Sequence, residues 1–105
     1  MDISISKLQQ LQAIARPGSI SKAALELNIS QPALSRSVAA LEERYGFQVF
    51  NRLGHGVQLT AAGAQVLELA QPLLRNMRSF DKNLREIGLG HAGVISIGFA
   101  PLLAS

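Results

Sequence analysis

Gln31, Ser35 and Arg36 lie close together in a stretch, Asn28 to Leu41, that contains no aspartate or glutamate. Such a group suits one kind of chemistry. A glutamine amide sets a donor beside an acceptor, which matches the edge of adenine. A guanidinium matches the edge of guanine, and a serine hydroxyl bonds a base or a phosphate. A tip without acids enters a groove lined with phosphates without burying a like charge against them. Solvated positions on any helix can have this composition, so the reading depends on the elements that hold these residues.

Other groupings lead nowhere. His55 and His91 are far apart in a chain without cysteine, so no metal site and no disulfide framework is expected. Glu42 and Glu43 are adjacent and on a helix point about 100° apart, the wrong geometry for a paired acid and base at one bond. Glu42 reads better as an ion-pair partner of Arg16 or Lys22. Gly54-His55-Gly56 is a turn rather than a phosphate loop, because neither a helix start nor a lysine comes after it at the needed spacing. The serines have no histidine base beside them. The expectation is a protein that is not an enzyme and carries no cofactor.

The chain has 105 residues, a net charge of +3 and a pI near 10.0, which permits a polyanionic partner. No apolar run approaches the ~20 residues of a membrane helix, and Met1 to Lys7 lack the pattern of a signal peptide. A cytoplasmic protein with no membrane partner is expected.

The positioning elements are legible in the apolar spacing. Leu8, Leu11, Ile14 and Ala15 form one stripe, a helix over roughly 4–15, which Arg16-Pro17-Gly18 ends. Ser19 caps a second helix over 20–27, with Ile20, Ala23, Ala24 and Leu27 inward; the two alanines allow another helix to come close. Asn28-Ile29-Ser30 is a short break in which Asn28 takes the left-handed conformation, Ile29 plugs the corner and Ser30 caps the third helix. Pro32 sits harmlessly in the first turn of that helix, which spans 31–45 and is closed by Gly46. On a wheel Leu34, Val38, Leu41 and Tyr45 share the core face; Pro32, Arg36, Ala39 and Glu43 face away, with Gln31 and Ser35 on the flank. Two helices joined by a three-residue turn are helix-turn-helix punctuation.

From Phe47 the period becomes two, with Phe47 and Val49 about Gln48 and Val57 and Leu59 about Gln58. This predicts a hairpin wing over 47–59 carrying Arg52 and His55. Thr60 then caps a last helix. Its residues Val66, Ala70, Leu73, Met77, Phe80, Leu84 and Ile87 step alternately by four and three, a coiled-coil seam for a second copy of the chain. Pro72 should bend that helix or loosen a turn. Gly88, Gly90 and Gly93 mark a joint, and Val94 to Phe99 read as a lone strand of something longer. The division expected is 1–60 for a DNA-binding domain, 61–90 for a dimerisation helix and 91–105 for a joint and truncated first strand. A helical module that docks a protein is the competing reading. An RNA binder is disfavoured for want of exposed stacking aromatics.

With Ser19-Ile20-Ser21-Lys22-Ala23-Ala24, Leu27, Ser30-Gln31-Pro32-Ala33-Leu34-Ser35, Leu41-Glu42, Gly46, Val49-Phe50-Asn51-Arg52 and Leu59-Thr60-Ala61-Ala62-Gly63 in place, the sequence closely resembles the LysR-type transcriptional regulators over residues 5–100. The resemblance implies a mainly α winged helix-turn-helix followed by a long dimerising linker helix. It also implies double-stranded DNA as partner, at pseudo-palindromic operators, with a homodimer that becomes a tetramer in the full-length protein. A small-molecule effector would act only through a C-terminal domain missing after Ser105. Carried over by position, Gln31, Pro32, Ser35 and Arg36 match the recognition-helix contacts and Arg52 the wing contact. Ser30 would cap the helix and hold a phosphate, and Ser21 and Lys22 would touch the DNA backbone. Two departures stand out. Ser37-Val38-Ala39-Ala40 replaces more polar or basic residues, and His55 occupies a wing position where relatives often carry arginine or lysine, which would make affinity mildly pH-sensitive.

The heptad yields a first prediction. Phe80→Asp should place a charge in the seam and convert a dimer to monomers by sedimentation analysis; an unchanged mass would refute the assignment.

Overall fold

The computed structural model describes residues 3–93, and of 91–93 the backbone alone. Its elements run α1 (Ile5–Ala15), α2 (Ile20–Leu27), α3 (Gln31–Tyr45), β1 (Phe50–Leu53), β2 (Gly56–Leu59) and α4 (Ala61–Gly93). It is the winged helix-turn-helix, mainly α, with a two-stranded antiparallel hairpin and a long C-terminal helix. Two units divide after Leu74, so α4 contributes to both.

Each of the first three helices begins at a serine whose hydroxyl accepts one of the N–H groups that the helix ladder leaves unpaired. Ser4 accepts from Lys7, Ser19 from Lys22 and Ser30 from Ala33, at 3.1–3.2 Å. α2 stops at Asn28, which is left-handed at φ 60, and the Ile29 N–H turns back to the Ala24 carbonyl at 3.0 Å. α3 stops at Gly46, also left-handed at φ 77. These caps act within a few residues, so the helix bounds at α2 and α3 coincide with the expected ones. Ile29 does not plug the corner; it is 38% exposed.

The three helices converge on one apolar core. Leu11, Ile14 and Leu34 are fully enclosed, and Ala23 and Ala24 let α2 lie close against its neighbours. Burying a side chain of that size contributes about 1.5–3 kcal/mol. Two polar links join α1 to α3: Lys7 Nζ donates to the Ser37 carbonyl at 3.0 Å, and the Ser37 hydroxyl donates to Gln10 Oε1 at 2.6 Å. Tyr45, expected on the core face, is half exposed, because the core ends one turn before the end of α3.

The wing is shorter than its sequence period suggests. Pairing begins at Phe50↔Leu59 and ends at Leu53↔Gly56 across a two-residue turn, Gly54-His55. Phe47 to Val49 do not join the ladder because Val49 is bound elsewhere. Its N–H donates to Glu42 Oε2 at 2.7 Å, and its carbonyl accepts the Thr60 N–H at 2.9 Å and the Thr60 hydroxyl at 3.2 Å. The far strand is fixed too. The Val57 N–H donates to the Gly18 carbonyl at 3.0 Å, and that approach leaves 2.6 Å for a Cβ at Gly56, so only glycine fits there.

α4 starts on this platform. Thr60 caps it by accepting the Gly63 N–H at 2.9 Å. Within the first unit, Ala70 and Leu74 are buried with Leu8 in a second cluster, and Val66 packs against the main core. Pro72 lies inside the helix without ending it. The expected joint at Gly88 to Gly93 is instead helical through Gly93. Glycine weakens a helix by about 1 kcal/mol but does not forbid it. The expected strand 94–99 lies outside the described residues.

Gly63 is the stringent test of this docking, since a Cβ there would lie 2.1 Å from the Val49 carbonyl oxygen. Gly63→Ala should therefore lower stability by about 1–3 kcal/mol in a denaturant titration. Gly88→Ala, in open space, should be neutral or stabilising. Equal outcomes for the two would contradict the packing of α4 on the wing.

Candidate nucleic-acid interface

α3 presents the expected residues in a graded way. Gln31, Pro32 and Arg36 are exposed, Ser35 is half buried, and Leu34 beneath them is fully enclosed and fixes the rotation of the helix. Ala39 and Ala40 continue the exposed side as methyl groups. Ser30 is engaged as the α3 cap. Ser37, which departs from the family pattern, is turned to α1 through Gln10.

Three of the expected residues meet at one place. A cleft of about 200 Å³ is lined by Ser19, Ser21, Gln31 and Arg52 together with Ile20, Leu53, Gly56 and Val57. It therefore draws on the start of α2, the start of α3 and the wing. The Ser21 hydroxyl donates to Gln31 Oε1 at 3.3 Å across it. Along β1 Phe50 is buried, and Asn51, Arg52 and Leu53 are exposed. His55 is exposed in the wing turn and Lys22 on α2, both outside the cleft lining. Neither Arg36 nor Arg52 has an ion-pair or hydrogen-bond partner among the described residues. Two guanidinium groups are thus left with their donors turned to solvent, the state expected of groups that meet a polyanion.

Glu42 is the functional residue that sequence reasoning misassigned. It pairs with neither Arg16 nor Lys22. One carboxylate oxygen, Oε2, accepts the N–H groups of Val49 and Phe50 at 2.7 and 3.2 Å. The reason is local supply: where the chain leaves Gly46 for the wing, two backbone donors without strand partners lie against α3, and a carboxylate satisfies both. This bond couples the recognition helix to the wing. A glutamate one turn before a helix-ending glycine and eight residues before the first wing strand is the signal that could have revealed it.

This geometry has counterparts among known proteins. The family model described as bacterial regulatory helix-turn-helix protein, lysR family, matches residues 5–64. The chain belongs to the lysR family. Among curated lysR-family relatives, it is 35% identical over 100 residues to the RuBisCO operon transcriptional regulator of Allochromatium vinosum, a match covering 95% of this chain and 33% of that protein. It is 38% identical over 105 residues to the transcriptional regulator ClcR of Pseudomonas putida, covering 92% and 36%. The chain spans about a third of the length of the curated relatives it matches. Among solved structures it is similar to the BenM DNA-binding domain in its complex with catB site 1 DNA, with TM-score 0.77 and 32% identity over 85% of this chain and 99% of that one. The CbnR DNA-binding domain in its DNA complex gives TM-score 0.72 and 31% identity over 82% and 99%. Among the described residues no helix is long and apolar enough to cross a membrane.

The dimerisation series of this lysR-family chain divides between the two units. In the first, Val66 and Ala70 pack inside the unit, the latter buried to 2% exposure, while Leu73 is exposed. Ala70 thus packs within its own unit with Leu8 of α1, Val66 is half-buried, and the start of α4 is held at Val49 by Thr60. In the second unit Met77, Phe80, Leu84 and Ile87 are all exposed.

Glu42→Ala should unlock the wing while leaving the helices folded. Amide exchange at Val49 and Phe50 should accelerate at least tenfold, because two half-buried donors lose an ionic acceptor, and stability should fall by about 1–3 kcal/mol. Unchanged exchange at both amides would show that the wing is held by its own ladder.

Proposed function

We propose that this chain binds double-stranded DNA sequence-specifically as a dimer, as the DNA-reading part of a cytoplasmic, non-enzymatic transcriptional regulator. α3 enters the major groove with Gln31, Pro32, Ser35 and Arg36 toward base edges. The wing places Arg52, with His55 at its tip, on the adjacent groove or backbone, and Ser30, Ser21 and Lys22 lie on the flanks. The observation that carries the reading is the cleft where α2, α3 and the wing bring Ser21 and Gln31 together with Arg52, whose guanidinium has no partner among the described residues. It is supported by the family and by the DNA complexes of BenM and CbnR, whose DNA-binding domains the chain resembles.

Dimerisation rests on exposed apolar residues. In the first unit an apolar groove of about 290 Å³ opens among α1, α3 and α4, with Leu69 and Leu73 on its rim. In the second, Met77, Phe80, Leu84 and Ile87 recur at heptad spacing. A symmetric pair would set two recognition helices into successive major grooves, ~34 Å apart or a multiple of it, and so read a pseudo-palindromic operator. In a longer protein of the relatives' size, a tetramer and a small-molecule effector would enter through the remaining two thirds.

The experiment is an in-vitro selection of this chain against random duplex DNA. An enriched inverted repeat is expected. On that site Arg36→Ala should lose about 1–3 kcal/mol and relax the choice of one base. No enrichment by a folded, dimeric chain would favour the protein-docking alternative.

A further inference from the structure

One turn beyond Arg36, α3 exposes a residue whose side chain has no hydrogen-bonding group, Ala39. At about 100° per residue, Gln31, Ser35, Pro32 and Arg36 span an arc of about 140° around the helix. Ala39 falls inside that arc, between Ser35 and Arg36 and within about 20° of Pro32. It stands four residues after Ser35 and three after Arg36, the two spacings that make helix residues neighbours. Ala40, also exposed, falls outside the arc, about 40° past Arg36. Leu34, Val38 and Leu41 are buried and fix this rotation of α3.

The major groove decides what such a residue can read. Base edges there offer donors and acceptors, with one apolar group among them, the C5 methyl of thymine. A methyl side chain set against a donor or acceptor displaces its water and returns no bond. Set against the thymine methyl, it removes apolar surface of both groups from water. Apolar contact has no donor or acceptor direction, so the selection depends only on where Ala39 stands.

Resting on the proposed DNA reading, we propose that Ala39 is a specificity-determining residue whose methyl group selects a thymine by contact with its C5 methyl. The groove-facing side of α3 then reads by hydrogen bonds at Gln31, Ser35 and Arg36 and by apolar contact one turn later.

The test uses the 105-residue chain on the inverted repeat that duplex selection yields. Each thymine of the half-site is replaced in turn by deoxyuridine, which removes the methyl group and keeps every hydrogen-bonding group. Wild type should bind about three- to fivefold more weakly after one of these replacements, the effect of roughly one buried methyl group. At that position Ala39→Gly should bind the thymine and deoxyuridine duplexes equally. Ala40→Gly carries the same helix penalty and should keep the wild-type ratio. Each ratio is taken on one protein, so a lower folded fraction cancels. A wild type indifferent to every replacement would overturn the proposal. So would a methyl effect that survives in Ala39→Gly, which would assign the thymine to another side chain, or one lost equally in Ala40→Gly. Failure of the wild type to enrich any site would instead bring down the DNA reading itself.

Discussion

The arrangement depends on the backbone of one residue, Val49. Its side chain is fully enclosed, its N–H is held by the Glu42 carboxylate, and its carbonyl receives Thr60. Recognition helix, wing and linker helix are therefore referred to a single peptide segment. A carboxylate taking two backbone donors is among the stronger bonds available to a small domain, and an unfilled donor there would carry the full desolvation penalty. The close approach of Gly63 to the same carbonyl is a direct result, because α4 can begin at Thr60 only if nothing larger than hydrogen stands in the way. The orientation of Arg52 relative to Gln31 is set by this joint rather than by any contact between the two side chains.

The second constraint is the lack of polar burial. Among the described residues no buried side chain is polar or charged, so the core contains only aliphatic side chains and Phe50. Every polar residue with a proposed chemical task lies at or near the surface. Ser19 and Ser30 fix where α2 and α3 begin. Those starting points bring Ser21 and Gln31 within reach of each other. The specificity of such a surface depends on where helices start, not on a preformed polar cavity.

The range of each interaction decides how much of this is legible in the sequence. The bounds of α2 and α3 are readable because serine, asparagine and glycine act on residues three or four away. The outward set Gln31, Pro32 and Arg36 is readable because Leu34 and Val38 fix the wheel. The bond of Glu42 is not, because its acceptor role depends on where the chain turns after Gly46, and a search among charged partners looks in the wrong place. The heptad is ambiguous at Val66 and Ala70 for a related reason: periodicity says that a face is apolar, not which chain covers it. The glycines at 88, 90 and 93 suggest a break, yet glycine adopts helical angles readily when no proline intervenes.

The wing is fastened at both ends, by Val49 to Glu42 and Thr60 and by Val57 to Gly18. Between those points only the Gly54-His55 tip lies outside the ladder. Length variation in this hairpin is thus confined to the tip. A residue inserted between Phe50 and Arg52 would shift the register and turn Arg52 to the opposite side of the ribbon. The hairpin can lengthen toward a partner without disturbing its root, which gives the fold one place where reach can diverge independently of the groove-facing helix.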